Sequence, residues 1–279
     1  MNPLSPSLPT PRRRRLPVLA LALALLPALS PLAAQVPADS LLRDFEPSGD
    51  FQLMIADKVD PEAKIYHSQR AGAVLVRSPQ LDTPLLISPR EGSVQSVSFM
   101  SLMVRADGAI DLLADADLKP QGQFVVDDAG IHFTYAGKKL LLGEKPPLLG
   151  LHQGTELAEY NPAYQRGAAE YEPDMSVVES LRGQGEAVRV RVFFGSWCSF
   201  CKRYVPRMLK VAEELAGSKV QVEYYGLPHG FTSEPEAQKF EVKSVPTAIV
   251  YLGDRIIGRI EGNQWSRPEH AIYSLLNGL

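Results

Sequence analysis

Cys198 and Cys201 are the two cysteines of this 279-residue chain, and they stand three apart in the run Phe194-Gly195-Ser196-Trp197-Cys198-Ser199-Phe200-Cys201-Lys202-Arg203. Thiols at that spacing can exchange with a disulfide in two steps: one thiolate attacks to form a mixed disulfide, and the other resolves it. A structural bridge is the weaker reading, because closing so short a loop stabilises a chain by only about 2 kcal/mol in the chain-entropy picture. An apolar, β-like stretch ends at Phe194 and an amphipathic helical pattern follows the cysteines. The first sulfur therefore falls at a helix N-terminus, where unpaired N–H groups and the positive end of the dipole favour thiolate over thiol. Cys198 is expected to be the more exposed and more acidic nucleophile. Cys201, one turn further in, is expected to be shielded. Lys202, Arg203 and Arg207 add positive charge nearby or simply form a solvated helix face. With no third cysteine, electrons cannot be relayed through a second internal pair.

The elements that must position these sulfurs occupy residues 174–279, where helix and strand patterns alternate. Asp174 caps a helix to residue 181 that Gly183 stops. Residues 188–194 read as a strand. The helix opened by the cysteines runs to about residue 216 and places Val205, Met208, Leu209, Ala212 and Leu215 on one face. Residues 220–225 form a second strand. Ser233 and Glu236 have capping-box spacing and open a helix to about residue 242; Ser266 and Glu269 repeat the spacing before a terminal helix that buries Ile272, Leu275 and Leu276. Between them, residues 247–252 and 255–261 read as a hairpin about Gly253-Asp254.

Residues 174–279 resemble the thioredoxin family. The likeness rests on Trp197-Cys198-Ser199-Phe200-Cys201-Lys202, on Pro206 within the following helix, and on Val245-Pro246-Thr247. Gly253 and Gly262 also fall where that family has its hairpin and strand-end glycines. The resemblance implies an α/β fold with a central mixed sheet flanked by helices and a redox-active pair at Cys198 and Cys201. It further implies a cis peptide at Pro246 facing the sulfurs, Val245 exposing its backbone to an extended substrate peptide by β-augmentation, and Trp197 as an apolar platform or as packing under the loop. Two departures stand out. The family's buried acid, six positions before the nucleophile, is Val192 here, which leaves Glu223 on the neighbouring strand as a candidate for moving the Cys201 proton. The dipeptide between the cysteines is Ser199-Phe200 rather than Gly-Pro, so the direction of electron flow is not inherited with the family.

Upstream, residues 44–142 read as a β-rich domain, a sandwich or partly open barrel. Short apolar runs at 51–56, 73–77, 84–88, 94–104, 123–126, 131–135 and 139–142 are separated by turn signals. Residues 143–173, broken by Pro146-Pro147, Asn161-Pro162 and Glu172-Pro173, read as a linker. Tyr160, Tyr164 and Tyr171 lie within it, as loose packing or as an aromatic flap over the site. At the start, Arg12 to Arg15 precede an uncharged Leu/Ala-rich stretch, and Ala34 precedes a natural cut. Residues 1–34 read as a secretory signal peptide, with an uncleaved membrane anchor as the alternative. The net charge of −3 gives no electrostatic case for nucleic acid.

The sequence thus points to a mainly-β N-terminal domain followed by a thioredoxin-like α/β domain. The expected function is an exported, periplasmic thiol-disulfide oxidoreductase, with the Cys198–Cys201 disulfide as its only redox group and no metal. Its expected partners are cysteine-containing exported proteins, reduced with electrons from a membrane thiol carrier. An oxidase or isomerase is the alternative direction. A copper-binding chaperone, using both cysteines and His229, is the alternative class.

Overall fold

The computed structural model describes residues 42–278, so the expected signal peptide lies outside the described residues. Two antiparallel sheets pack face to face in the N-terminal part. One runs in the order Glu46–Ser48, Lys64–Ser68, Ala73–Arg77, Leu85–Ser88, Ser93–Val97, Leu118–Gln123. The other runs Val125–Asp127, Gly130–Tyr135, Lys138–Glu144, Phe51–Ile55, Lys58–Val59. Between them lie Leu53, Val76, Leu85, Ile87, Phe133 and Leu140. The first sheet is also covered on its outer face, where Phe45, Tyr66, Leu75 and Leu86 meet Ile110 and Leu112. Burial on both faces is why its central strands read as continuous apolar runs rather than as alternation.

Residues 94–104, one run in the sequence, are divided. Ser98 accepts the Met100 N–H and caps a 3-10 turn, Phe99–Ser101, so the chain leaves the sheet there. Residues 123–126 are likewise split at Phe124, where the chain passes from one sheet to the other.

The C-terminal sheet runs in the order Gly150–His152, Val220–Gly226, Val188–Phe194, Thr247–Leu252, Arg255–Ile260. The central strand Val188–Phe194 is parallel to Val220–Gly226 and antiparallel to Thr247–Leu252. One face buries Val190, Val192, Phe194 and Val250 against the helices Met175–Arg182, Ser199–Glu214 and Pro268–Asn277. The opposite face buries Phe193 and Ile249 against the short helix Pro235–Lys239.

Three local expectations change. Residues 143–173 are not a bare connection. They supply the edge strand Gly150–His152 and the helices Gly154–Tyr160 and Pro162–Ala169. Asn161-Pro162 does interrupt the chain, but as the joint between those helices: the Asn161 side chain accepts the Ala163 N–H, and Pro162 takes the first helical position. The helix expected from Ser233 instead begins at Pro235, with Glu234 accepting the Ala237 N–H. The terminal helix begins at Pro268 without a side-chain cap. Glu269 is buried and accepts from the Tyr171 hydroxyl at 2.7 Å and the Asp174 N–H at 3.2 Å. In both cases a proline two residues after the expected cap fixes the helix start.

The edge strand is held tightly. A Cβ at Gly226 would lie 2.0 Å from the Leu148 carbonyl oxygen, and Gly226 pairs with Gly150. Gly226→Ala is expected to push residues 148–150 off the sheet and lower unfolding stability by about 3 kcal/mol. Urea denaturation measures this, and a midpoint equal to that of the unaltered protein would refute it.

Candidate redox site

Cys198 is the N-cap of the helix Ser199–Glu214, in extended backbone, and its sulfur accepts the Cys201 N–H at 3.4 Å. Cys198 is partly exposed and Cys201 is fully buried. The Cys201 thiol hydrogen-bonds to the Cys198 sulfur and holds Cys198 down to about pKa 6, aided by the N–H groups of Cys201 and Phe200 and the charge of Lys202, while partial burial opposes. Burial pushes the Cys201 thiol far above the ordinary range, reinforced by the neighbouring Cys198, while the Gly195 N–H, 3.4 Å from its sulfur, opposes. The dithiol is therefore strongly asymmetric: an accessible thiolate above a dry thiol.

Pro206 lies inside the helix, and the Val245–Pro246 peptide is cis. The Val245 carbonyl oxygen lies 3.7 Å from the Cys198 sulfur. Val245 is partly exposed and Pro246 is buried, immediately before the strand Thr247–Leu252. Trp197 donates its indole N–H to the Leu227 carbonyl at 3.0 Å and stacks on His229 at 4.5 Å. Phe200 is exposed beside the sulfurs. All five site positions expected from the sequence, Trp197, Cys198, Cys201, Val245 and Pro246, lie together or on elements that converge here.

Val192 is fully buried on the cysteine side of the sheet. Glu223 is not. It pairs with Arg191, which also binds Glu236 at 3.0 Å and lies over the Phe240 ring on the opposite face. Strand alternation puts Val192 and Tyr224 on one side and Arg191 and Glu223 on the other. Glu223 thus cannot reach Cys201. The set of Cys198, Cys201 and His229 that a metal would need is not assembled among the described residues; the His229 ring lies on Trp197 instead.

No pattern in the sequence shows that the N-terminal sheets reach this site. Asp50, beside the strand Phe51–Ile55, pairs with Lys202 at 2.8 Å and accepts from Asn161 at 2.8 Å. A cavity of about 340 Å³ opens there, lined by Trp197, Lys202, His229, Tyr160, Pro146 and Phe51. The density of tyrosines in residues 160–171 was the one signal that this segment faces something.

A mixed sheet that presents such a thiolate opposite a cis proline defines a dithiol redox domain. Residues 180–277 match the family model described as thioredoxin. Thioredoxin-2 of Saccharomyces cerevisiae is 33% identical over 99 residues, covering 36% of this chain and 90% of the yeast protein. The chain belongs to the thioredoxin family, and the family supports thiol-disulfide oxidoreductase chemistry in general. Among solved structures, spinach chloroplast thioredoxin f aligns at 18% identity over 40% of this chain and 93% of that one, with a TM-score of 0.27. A Pseudomonas aeruginosa protein of unknown function aligns at 12% identity over 45% of this chain and 84% of that one, with a TM-score of 0.34.

Proposed function

We propose that the protein is an exported reductase of disulfides in other exported proteins. The observation that carries this reading is the asymmetry of the two thiols. The Cys198 thiolate attacks a substrate disulfide, a mixed disulfide forms, and Cys201 attacks the Cys198 sulfur to release the reduced substrate. Val245 presents backbone to an extended substrate segment beside the nucleophile, Pro246 fixes that backbone, and Trp197 with Phe200 supplies apolar contact. The cavity beside Trp197 and Lys202 extends this surface toward the N-terminal sheets. The redox-active Cys198–Cys201 disulfide is the sole cofactor, and a membrane thiol carrier returns the protein to its dithiol form. Residues 1–34 direct export to the periplasm, where such a supply of electrons is needed.

Incubation with a disulfide-bonded protein such as insulin tests the mechanism. The reduced unaltered protein is expected to turn over. Cys201→Ser should accumulate one equivalent of mixed disulfide on Cys198, and Cys198→Ser none. Absence of a Cys198 adduct in Cys201→Ser would refute the reading.

A further inference from the structure

Resolution requires the buried Cys201 thiol to lose its proton, and neither Val192 nor Glu223 can assist it. The helix Pro162–Ala169 brings a different group to that sulfur. Its N-terminal end is fixed to the active-site helix because Asp50 binds both Asn161 and Lys202, at 2.8 Å each. Its middle is fixed because Gly167 lies against Pro206, so closely that a Cβ at Gly167 would stand 2.9 Å from the proline ring. Tyr164 lies between these two anchors, three residues before Gly167, on a helix packed against the active-site helix. Tyr164 and Cys201 belong to the same buried cluster. The tyrosine ring meets Phe194 edge-on at 6.3 Å, and Phe194 precedes the glycine whose N–H points at the Cys201 sulfur. Tyr164 is fully buried, yet its hydroxyl has no hydrogen-bond partner among the described residues. A buried hydroxyl left unpaired in the same core as a sulfur that must become negative is suited to the negative form.

We propose that the Tyr164 hydroxyl donates a hydrogen bond to Cys201 as that sulfur becomes a thiolate, and so promotes the resolving step; the proposal rests on the mixed-disulfide reading above. In that step the Cys198–Cys201 bond forms and the bond from Cys198 to the substrate sulfur breaks. The proton of Cys201 ends on the departing substrate thiolate, through solvent. Tyr164 keeps its own proton throughout: burial, reinforced by the charge of Cys201 in its ionised form, raises the phenol well above its ordinary range. It acts through Cys201 as a positioning residue and a donor, not as a base.

Tyr164→Phe removes the hydroxyl and keeps the ring. In quenched-flow single turnovers with a disulfide substrate, the formation of the Cys198 mixed disulfide is expected to be unchanged. Its decay is expected to slow about tenfold or more, the effect of losing a hydrogen bond to a charged group, and thermal stability should not fall. Decay within twofold of the unaltered protein would overturn the proposal, as would equal slowing of formation and decay, which would mark a purely structural role. The unaltered protein, run alongside, tests the parent reading separately: no mixed disulfide there would remove both.

Discussion

Cys198→Ser is expected to reduce disulfide exchange by at least about a thousandfold, since an alcohol at that position has neither the acidity nor the nucleophilicity of the thiolate. In the unaltered protein, alkylation of Cys198 should rise with pH to a plateau with its midpoint near pH 6, where hydrogen bonding from Cys201 sets the thiol. Below that midpoint the thiol is protonated and the rate falls about tenfold per pH unit. Buried Cys201 should remain unlabelled across the range. A single midpoint near the free-thiol value of about 8.5, or comparable labelling of both cysteines, would contradict the asymmetry on which the mechanism stands.

The magnitude of that shift decides what it is for. At pH 7 the thiolate population is roughly 30 times that of a free cysteine, but intrinsic nucleophilicity falls by about tenfold over the same shift. The net gain in attack is only about threefold. The larger consequence is thermodynamic: stabilising the Cys198 thiolate stabilises the dithiol form relative to the disulfide above pH 6, and the effect disappears as pH falls through that value. Thioredoxin, near pKa 7 and about −270 mV, and a strong oxidant, near 3.5 and about −120 mV, bracket the acidity of this nucleophile.

Much of the site was legible because each feature is local. The strand Val188–Phe194, the helix cap at Asp174, the hairpin at Gly253 and the dithiol at a helix start are all written within a few residues. What was not legible depends on long-range packing. No local pattern says that Asp50 meets Lys202, because those residues are brought together only when the N-terminal sheets dock on the helix joint at Asn161. Nor does it say that Tyr164 is a core residue. Its helix is short, opens on a proline and carries a glycine in its interior, and is stable only against the active-site helix. Glu223 failed as a candidate for a related reason: sequence distance placed it on the right strand, but the two-residue repeat placed it on the wrong face.

Val192→Asp restores a carboxyl group at the position where the family carries one, and its expected effects on stability and rate are both large and opposite. Val192 is fully buried, paired in register with Tyr224 and Ala248, and surrounded by apolar side chains. A carboxyl there is desolvated, so its pKa rises and it folds in the neutral form. Burial of even that form with at most one partner costs about 3 kcal/mol. The sign with pH follows from the raised value: the unfolded acid ionises above about pH 4 while the folded acid resists, so the variant loses further stability as pH climbs from 4 toward its folded pKa. Urea midpoints should therefore drop relative to the unaltered protein, and drop further at pH 8 than at pH 5. Above that raised pKa the resolving step should accelerate, because the carboxylate then present can accept the Cys201 proton inside the core instead of leaving it to solvent. In that background Tyr164→Phe should matter less, since the acid relieves the need for a donor to the naked thiolate. A variant as stable as the unaltered protein would mean that water already reaches Val192. A variant with unchanged resolution would mean that deprotonation of Cys201 does not limit the step, and the valine would then be neutral for chemistry, kept only for the packing of the sheet against the active-site helix.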